Sequence, residues 1–141
     1  MDSVLPPPSG QYLISDDFIS EEEAKVVKWL DSLEEAKLLA QATQKPIFLD
    51  FTGYTCVNCR WMEQNIFALK DIHKTMAEDF ILVRLYTDGG QRAEENLQLQ
   101  IERFNTVALP FYVLLSKDDQ FLKSFSGISR NPEEFADFLA L

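Results

Sequence analysis

Three compact apolar runs constrain this 141-residue chain more than any other feature: Ile47-Phe48-Leu49-Asp50-Phe51, Phe80-Ile81-Leu82-Val83-Arg84-Leu85-Tyr86 and Phe111-Tyr112-Val113-Leu114-Leu115. Short runs of this kind suit strands covered on both faces. The segments between them carry helix signals. Ser32-Leu33-Glu34-Glu35 is a capping box, and residues 32–44 hold good helix formers up to Lys45-Pro46. Helices are expected from about Val57 to Phe67 and from Asp71 to Glu78. Ala93, Leu97, Ile101 and Phe104 recur at i, i+4, i+8 and i+11, which predicts the inner stripe of a further helix. Ser116 to Gln120 reads as a polar turn and Phe121 to Phe125 as a returning strand. Asn131-Pro132-Glu133-Glu134 supplies an N-cap, a proline at the first helical position and an acid at the third, with Phe135, Phe138 and Leu139 on the apolar face. Strands joined through helices pair in parallel by right-handed crossovers, and the terminal hairpin adds an antiparallel pair. The expectation is one α/β domain: a mixed sheet with helices on both faces, no internal repeat and no second domain.

Residues 1–20 read as a flexible linker, because Pro6-Pro7-Pro8-Ser9-Gly10 favours an extended, solvated backbone. Residues 21–141 form the domain. At its start, Ser20-Glu21-Glu22-Glu23 offers a capping box, whereas Val26-Val27-Lys28-Trp29 reads as a short strand. The strand is the favoured reading. Thirteen Lys plus Arg against 23 Asp plus Glu give a net charge of −10. That balance argues against a nucleic-acid binder and against attachment to an anionic membrane surface. Neither a signal peptide nor a membrane-length apolar run is expected. The chain is therefore read either as cytosolic or as one domain of a longer exported protein, and in isolation as a monomer.

The two cysteines stand three apart, in Cys56-Val57-Asn58-Cys59, directly after a buried-type strand and at the start of a helix. Unpaired backbone N–H groups and the helix dipole favour a thiolate at the first position, and the second lies within reach of a mixed disulfide formed there. Closing so short a loop gives a structural disulfide little to stabilise. Zinc needs about four ligands, so a metal site would have to be shared between two chains. The redox-active reading stands first, inert thiols second and shared zinc last, and the redox reading requires no cofactor. His73, in a polar stretch, reads as a solvated helix residue. Trp61, Met62 and Phe67 read as core packing of the cysteine helix.

Asp50 interrupts an apolar run. Either it turns to solvent at a strand edge, or it lies beneath the cysteines, where burial raises its pKa and lets it exchange a proton with the thiols. Glu63, four residues after Cys59 on the same helix face, adds a second carboxylate whose charge opposes a thiolate. Pro110 opens a strand after Leu109. Without further context its bond is trans in most chains, whereas a cis bond would present the Leu109 backbone to an extended substrate.

An acid six residues before the first cysteine, a C-x-x-C on a helix and a proline opening a later strand together resemble the thioredoxin fold. That resemblance implies a three-layer α/β/α sandwich around a mixed sheet of four to five strands. Within that superfamily, the run Lys45–Glu63 and the segment Val83-Arg84-Leu85-Tyr86-Thr87-Asp88 resemble the C-terminal periplasmic domains of DsbD-type thiol:disulfide interchange proteins. The resemblance implies Cys56 as the attacking and Cys59 as the resolving thiol, and Asp50 and Glu63 as acids that hold the attacking thiol's pKa up. It further implies Pro110 as the cis-proline opposite the cysteines, with Leu109, Tyr54 and Thr55 lining the docking surface. Tyr54 and Thr55 stand where many thioredoxins have a tryptophan. The implied role is a periplasmic domain of an inner-membrane protein. It would take electrons from a membrane-embedded dithiol and pass them to periplasmic disulfide partners, cytochrome maturation among the possible destinations. Two alternatives are a free cytosolic thioredoxin and a non-catalytic binding module of the same fold.

Overall fold

The computed structural model describes residues 17–141; most of the expected linker, including its prolines, lies outside the described residues. Helix α1 (Glu21–Val26) opens with a complete capping box: Ser20 Oγ accepts from the Glu23 N–H at 3.1 Å, and Glu23 Oε1 accepts from the Ser20 N–H at 3.2 Å. Here the structure corrects the favoured reading. Val26 ends a helix, and the strand is only β1 (Trp29–Leu30). It can be no longer, because Ser32 already caps α2 (Leu33–Thr43). Ahead of α1, Phe18 bridges Leu69 and the Ile19 N–H donates to the Ala68 carbonyl at 2.8 Å.

Strand β2 (Ile47–Thr52) leads to α3 (Val57–Met62), which widens into a π-helical turn over Glu63–Phe67. There follow α4 (Lys70–Asp79), β3 (Ile81–Tyr86), α5 (Ala93–Phe104), β4 (Phe111–Leu115), β5 (Phe121–Ser126) and α6 (Pro132–Leu139). The sheet order is β1-β3-β2-β4-β5. Strands β1, β3 and β2 run parallel, and β4 and β5 are antiparallel additions. The mixed five-stranded sheet and its two covered faces are those the sequence predicts.

Side chains alternate across β2, and that alternation divides the core. Ile47, Leu49 and Phe51 face one layer with Ala36 and Ala40 of α2 and with Leu99 and Phe104 of α5. Phe48 faces the other, among Met62, Ile66, Phe67, Met76, Phe135 and Phe138. Its ring meets those of Trp29, Phe67, Phe80 and Phe135 edge-on, with centroids 5.9–6.2 Å apart. Period two puts Asp50 on this same aromatic face, beneath the cysteine helix. The predicted packing of that helix holds for Met62 and Phe67, which are buried, and less fully for Trp61, which is half-buried under the Arg130 guanidinium.

One predicted stripe is rotated. Ile101 is exposed, and Gln100 is fully buried in its place. The Gln100 side chain donates to the Ala108 carbonyl at 2.8 Å, and Asn96 donates to the Tyr86 carbonyl at 2.9 Å. Buried carbonyls in the neighbouring segments need donors, so the polar side chains of α5 turn inward and displace an apolar one.

Candidate active site: the Cys56–Cys59 pair

Cys56 occupies the N-cap of α3 in extended backbone, and its sulfur accepts from the Cys59 N–H at 3.1 Å. The two cysteines are joined in a disulfide, with Cα atoms 5.2 Å apart. Their exposure differs: Cys56 is half-buried, whereas Cys59 is 1% exposed. An incoming sulfur therefore reaches Cys56 and not Cys59. Val57 beside it is 79% exposed. No group of three or more His, Cys, Asp or Glu suited to a metal ion exists among the described residues.

Beneath the pair lies an ion cluster that sequence reasoning found only in half. Asp50 is 1% exposed, and its Oδ2 accepts from Arg84 Nε at 3.1 Å. Adjacent registers produce this pairing, since Asp50 stands opposite Arg84 on β3 and Tyr112 on β4. The other carboxylate oxygen, Oδ1, is buried with no hydrogen-bond partner among the described residues. Glu63 accepts from Arg60 Nη2 at 2.8 Å and lies 3.9 Å from Arg84 Nη2. Arg60 Nη2 also donates to Thr52 Oγ1 at 3.0 Å. The guanidinium of Arg84 rests on the Trp29 ring, 3.8 Å from its centroid.

Burial dominates the electrostatics of Asp50 and raises its pKa to about 6; the charge and hydrogen bond of Arg84 oppose the rise, and Glu63 adds to it. Burial pushes the Tyr112 phenol far up, reinforced by the charges of Asp50 and Glu63. Asp50 is therefore not at a solvent-facing strand edge. The two acids are joined through Arg84, and Glu63 has Arg60 besides. The cluster is close to charge-balanced, not simply negative.

Above the pair, one exposed carboxylate organises the loop. Asp88 accepts from the Tyr54 N–H at 2.8 Å, the Thr55 N–H at 3.1 Å and Thr55 Oγ1 at 3.0 Å. These bonds hold its pKa below the usual carboxylate range. Tyr54 stacks on Tyr86 with centroids 3.9 Å apart. Gly53 is required by the close approach: a Cβ there would stand 2.8 Å from Asp88 Oδ2 and 3.2 Å from Leu109 Cδ1. Leu109 thus lies against the cysteine loop, and the Leu109–Pro110 bond is cis, not the commoner trans. The structure brings Cys56, Cys59, Tyr54, Thr55 and Leu109 to one end of the sheet, with Asp50 and Glu63 below. His73, on α4, is half-buried rather than fully solvated and lines an open pocket with Trp29, Phe67, Glu63 and Arg84.

Arg84, Arg60, Asp88 and Trp29 are the members of this site that sequence reasoning gave no role. A charged residue in each of two neighbouring buried-type runs, Asp50 and Arg84, was the available signal for an ion pair.

A family model described as thioredoxin-like matches residues 28–117. The chain belongs to the thioredoxin-like family. Among solved structures it is similar to a DsbH oxidoreductase, 19% identical with a TM-score of 0.66 over 79% of this chain and 80% of that one. A thioredoxin from Thermus thermophilus is 21% identical with a TM-score of 0.66, covering 80% and 84%. The reduced C-terminal domain of Neisseria meningitidis DsbD is 14% identical with a TM-score of 0.62, covering 76% and 90%. At such identities these likenesses concern the fold. Comparison with curated protein sequences gives no match. With its C-x-x-C disulfide, this thioredoxin-like protein is a thiol–disulfide oxidoreductase.

Proposed function

We propose that this domain is a disulfide reductase that relays electrons, drawing them from an upstream dithiol and delivering them to disulfides of partner proteins. The unequal burial of the two sulfurs carries the reading: an accessible Cys56 at a helix start, and a sequestered Cys59 one turn on. In the forward half-reaction the Cys56 thiolate attacks a partner disulfide. A Cys56–partner bond forms and the partner's second sulfur leaves as a thiolate. Cys59, after losing its proton, attacks Cys56, closes the Cys56–Cys59 bond and expels the partner's remaining sulfur. The partner gains two electrons and two protons, and an upstream dithiol returns the pair to its reduced form. Asp50, its pKa raised to about 6, accepts and returns the Cys59 proton.

The DsbD-type setting, with a membrane-embedded donor and periplasmic acceptors, is the finer part of this proposal. It is supported by the resemblance of the Lys45–Glu63 run and by a fold shared with a DsbD C-terminal domain. Cys59→Ser is expected to accumulate a mixed disulfide through Cys56 with a model disulfide peptide, and Cys56→Ser to form none. An unaltered rate of disulfide reduction in Cys56→Ser would refute the reaction. Reduction of the domain by a soluble flavoprotein thioredoxin reductase would favour the free-thioredoxin reading over the membrane relay.

A further inference from the structure

Trp29 stands where the aromatic core meets the ion cluster. One side of its ring stacks with Phe67, centroids 6.3 Å apart and planes 20° from parallel, and its edge meets Phe48. Against the ring lies the Arg84 guanidinium, at 3.8 Å. Arg84 makes one direct hydrogen bond to the cluster, from Nε to Asp50, since its 3.9 Å approach to Glu63 is too long for one. A long, flexible side chain with so few ties needs a reason to stay. It also has somewhere to go, because it borders a cavity of about 630 Å³ lined by Trp29, Phe67, Met76, His73 and Glu63. An indole face attracts a guanidinium and fixes its plane.

We propose that Trp29 is a positioning residue for the dithiol site: its ring holds the Arg84 guanidinium against Asp50, so that the counter-ion of the buried carboxylate is set from the edge strand β1. Asp50 is faced by Arg84 from β3, Tyr112 from β4, and Arg60 and Glu63 from the cysteine helix. His73 and Glu21 lie on the cavity wall. Among these, Arg84 is the one cation in hydrogen-bond contact with Asp50, so releasing it weakens the ionised carboxylate more than any other single movement.

The test is the titration of the Asp50 carboxyl carbon by NMR in the wild type, Trp29→Leu, Trp29→Phe and Arg84→Gln. Trp29→Leu should raise the midpoint by about half a pH unit or more, and Trp29→Phe, which keeps an aromatic face, by less. In an Arg84→Gln background Trp29→Leu should add nothing. An unmoved midpoint in Trp29→Leu, an equal shift in Trp29→Phe, or the same shift without Arg84 would overturn the proposal. Should Trp29→Leu not fold, the wild type still decides: Arg84 side-chain protons over the ring must be displaced upfield, and random-coil shifts would refute the clamp. Only the consequence for the cysteines, a pH dependence of Cys56 alkylation that follows Asp50, rests on the exchange reaction proposed above. A redox-inert pair with a movable Asp50 would refute the function and keep the clamp; an exchanging pair with an unmoved Asp50 would do the reverse.

Discussion

Asp50 lies buried in the sheet, paired with Arg84, whereas Asp88 lies in solvent and binds the loop that leads into Cys56. Among the described residues Asp50 has a single direct partner, Arg84, and a second oxygen buried without one, so its charged form is penalised and its pKa rises to about 6. Asp88 is exposed and accepts three hydrogen bonds from Tyr54 and Thr55, so its charged form is favoured and its pKa falls. The same side chain thus holds its proton more tightly in one place and less tightly in the other. Solvation and donor count decide which.

The largest break in this comparison should come from Arg84→Leu, which strands the Asp50 charge in the interior. Removing one member of a buried pair costs about 3 kcal/mol or more. The loss should be nearly full at pH 8 and much smaller at pH 5, where Asp50 escapes by taking a proton; chemical denaturation at both pH values reads it. Next is Asp50→Asn. Because the folded pKa lies above the ordinary value of 3.8, the native state binds the proton more tightly, and stability falls as pH rises from about 4 to about 6. That fall, at most about 3 kcal/mol by linkage, should vanish in the variant. A profile unchanged by the substitution would refute the raised pKa.

A third prediction concerns the thiol. Replacing both acids, Asp50→Asn with Glu63→Gln, leaves Arg84 and Arg60 uncompensated beneath the pair. The Cys56 thiolate midpoint should then fall by about one unit, measured by absorbance at 240 nm in the reduced protein. An unmoved midpoint would separate the cluster from the thiol. The smallest effect belongs to Asp88→Asn. It should speed amide exchange at Tyr54 and Thr55, with global stability little changed. At acid pH the wild type should lose this local protection as Asp88 protonates, below the usual carboxylate range.

Much of this was legible in the sequence because it was written in contrast. Asp50 stands out in an apolar run, and two cysteines after a strand and before a helix carry their chemistry in their spacing. The capped helices α2 and α6 form where their Ser32 and Asn131 signals place them. What stayed hidden depends on partners distant in the chain. Arg84 looks like one residue of a buried-type strand until register sets it beside Asp50, and Trp29 like the end of a short strand until a guanidinium lies on it. Asp88, in Thr87-Asp88-Gly89-Gly90, has the composition of any turn. Gln100 defeats hydropathy altogether, since its burial repays a loop carbonyl and not an apolar surface.

Under the proposed function, Cys56 and Cys59 form a reversible, reducing redox couple. Equilibration of the domain with dithiothreitol or glutathione buffers, with the disulfide fraction read by thiol trapping, tests it directly. One two-electron transition is expected at roughly −220 to −270 mV, in the range of reductants. A value near −120 mV would make the domain an oxidant, and the absence of any reversible transition would return the pair to a structural role.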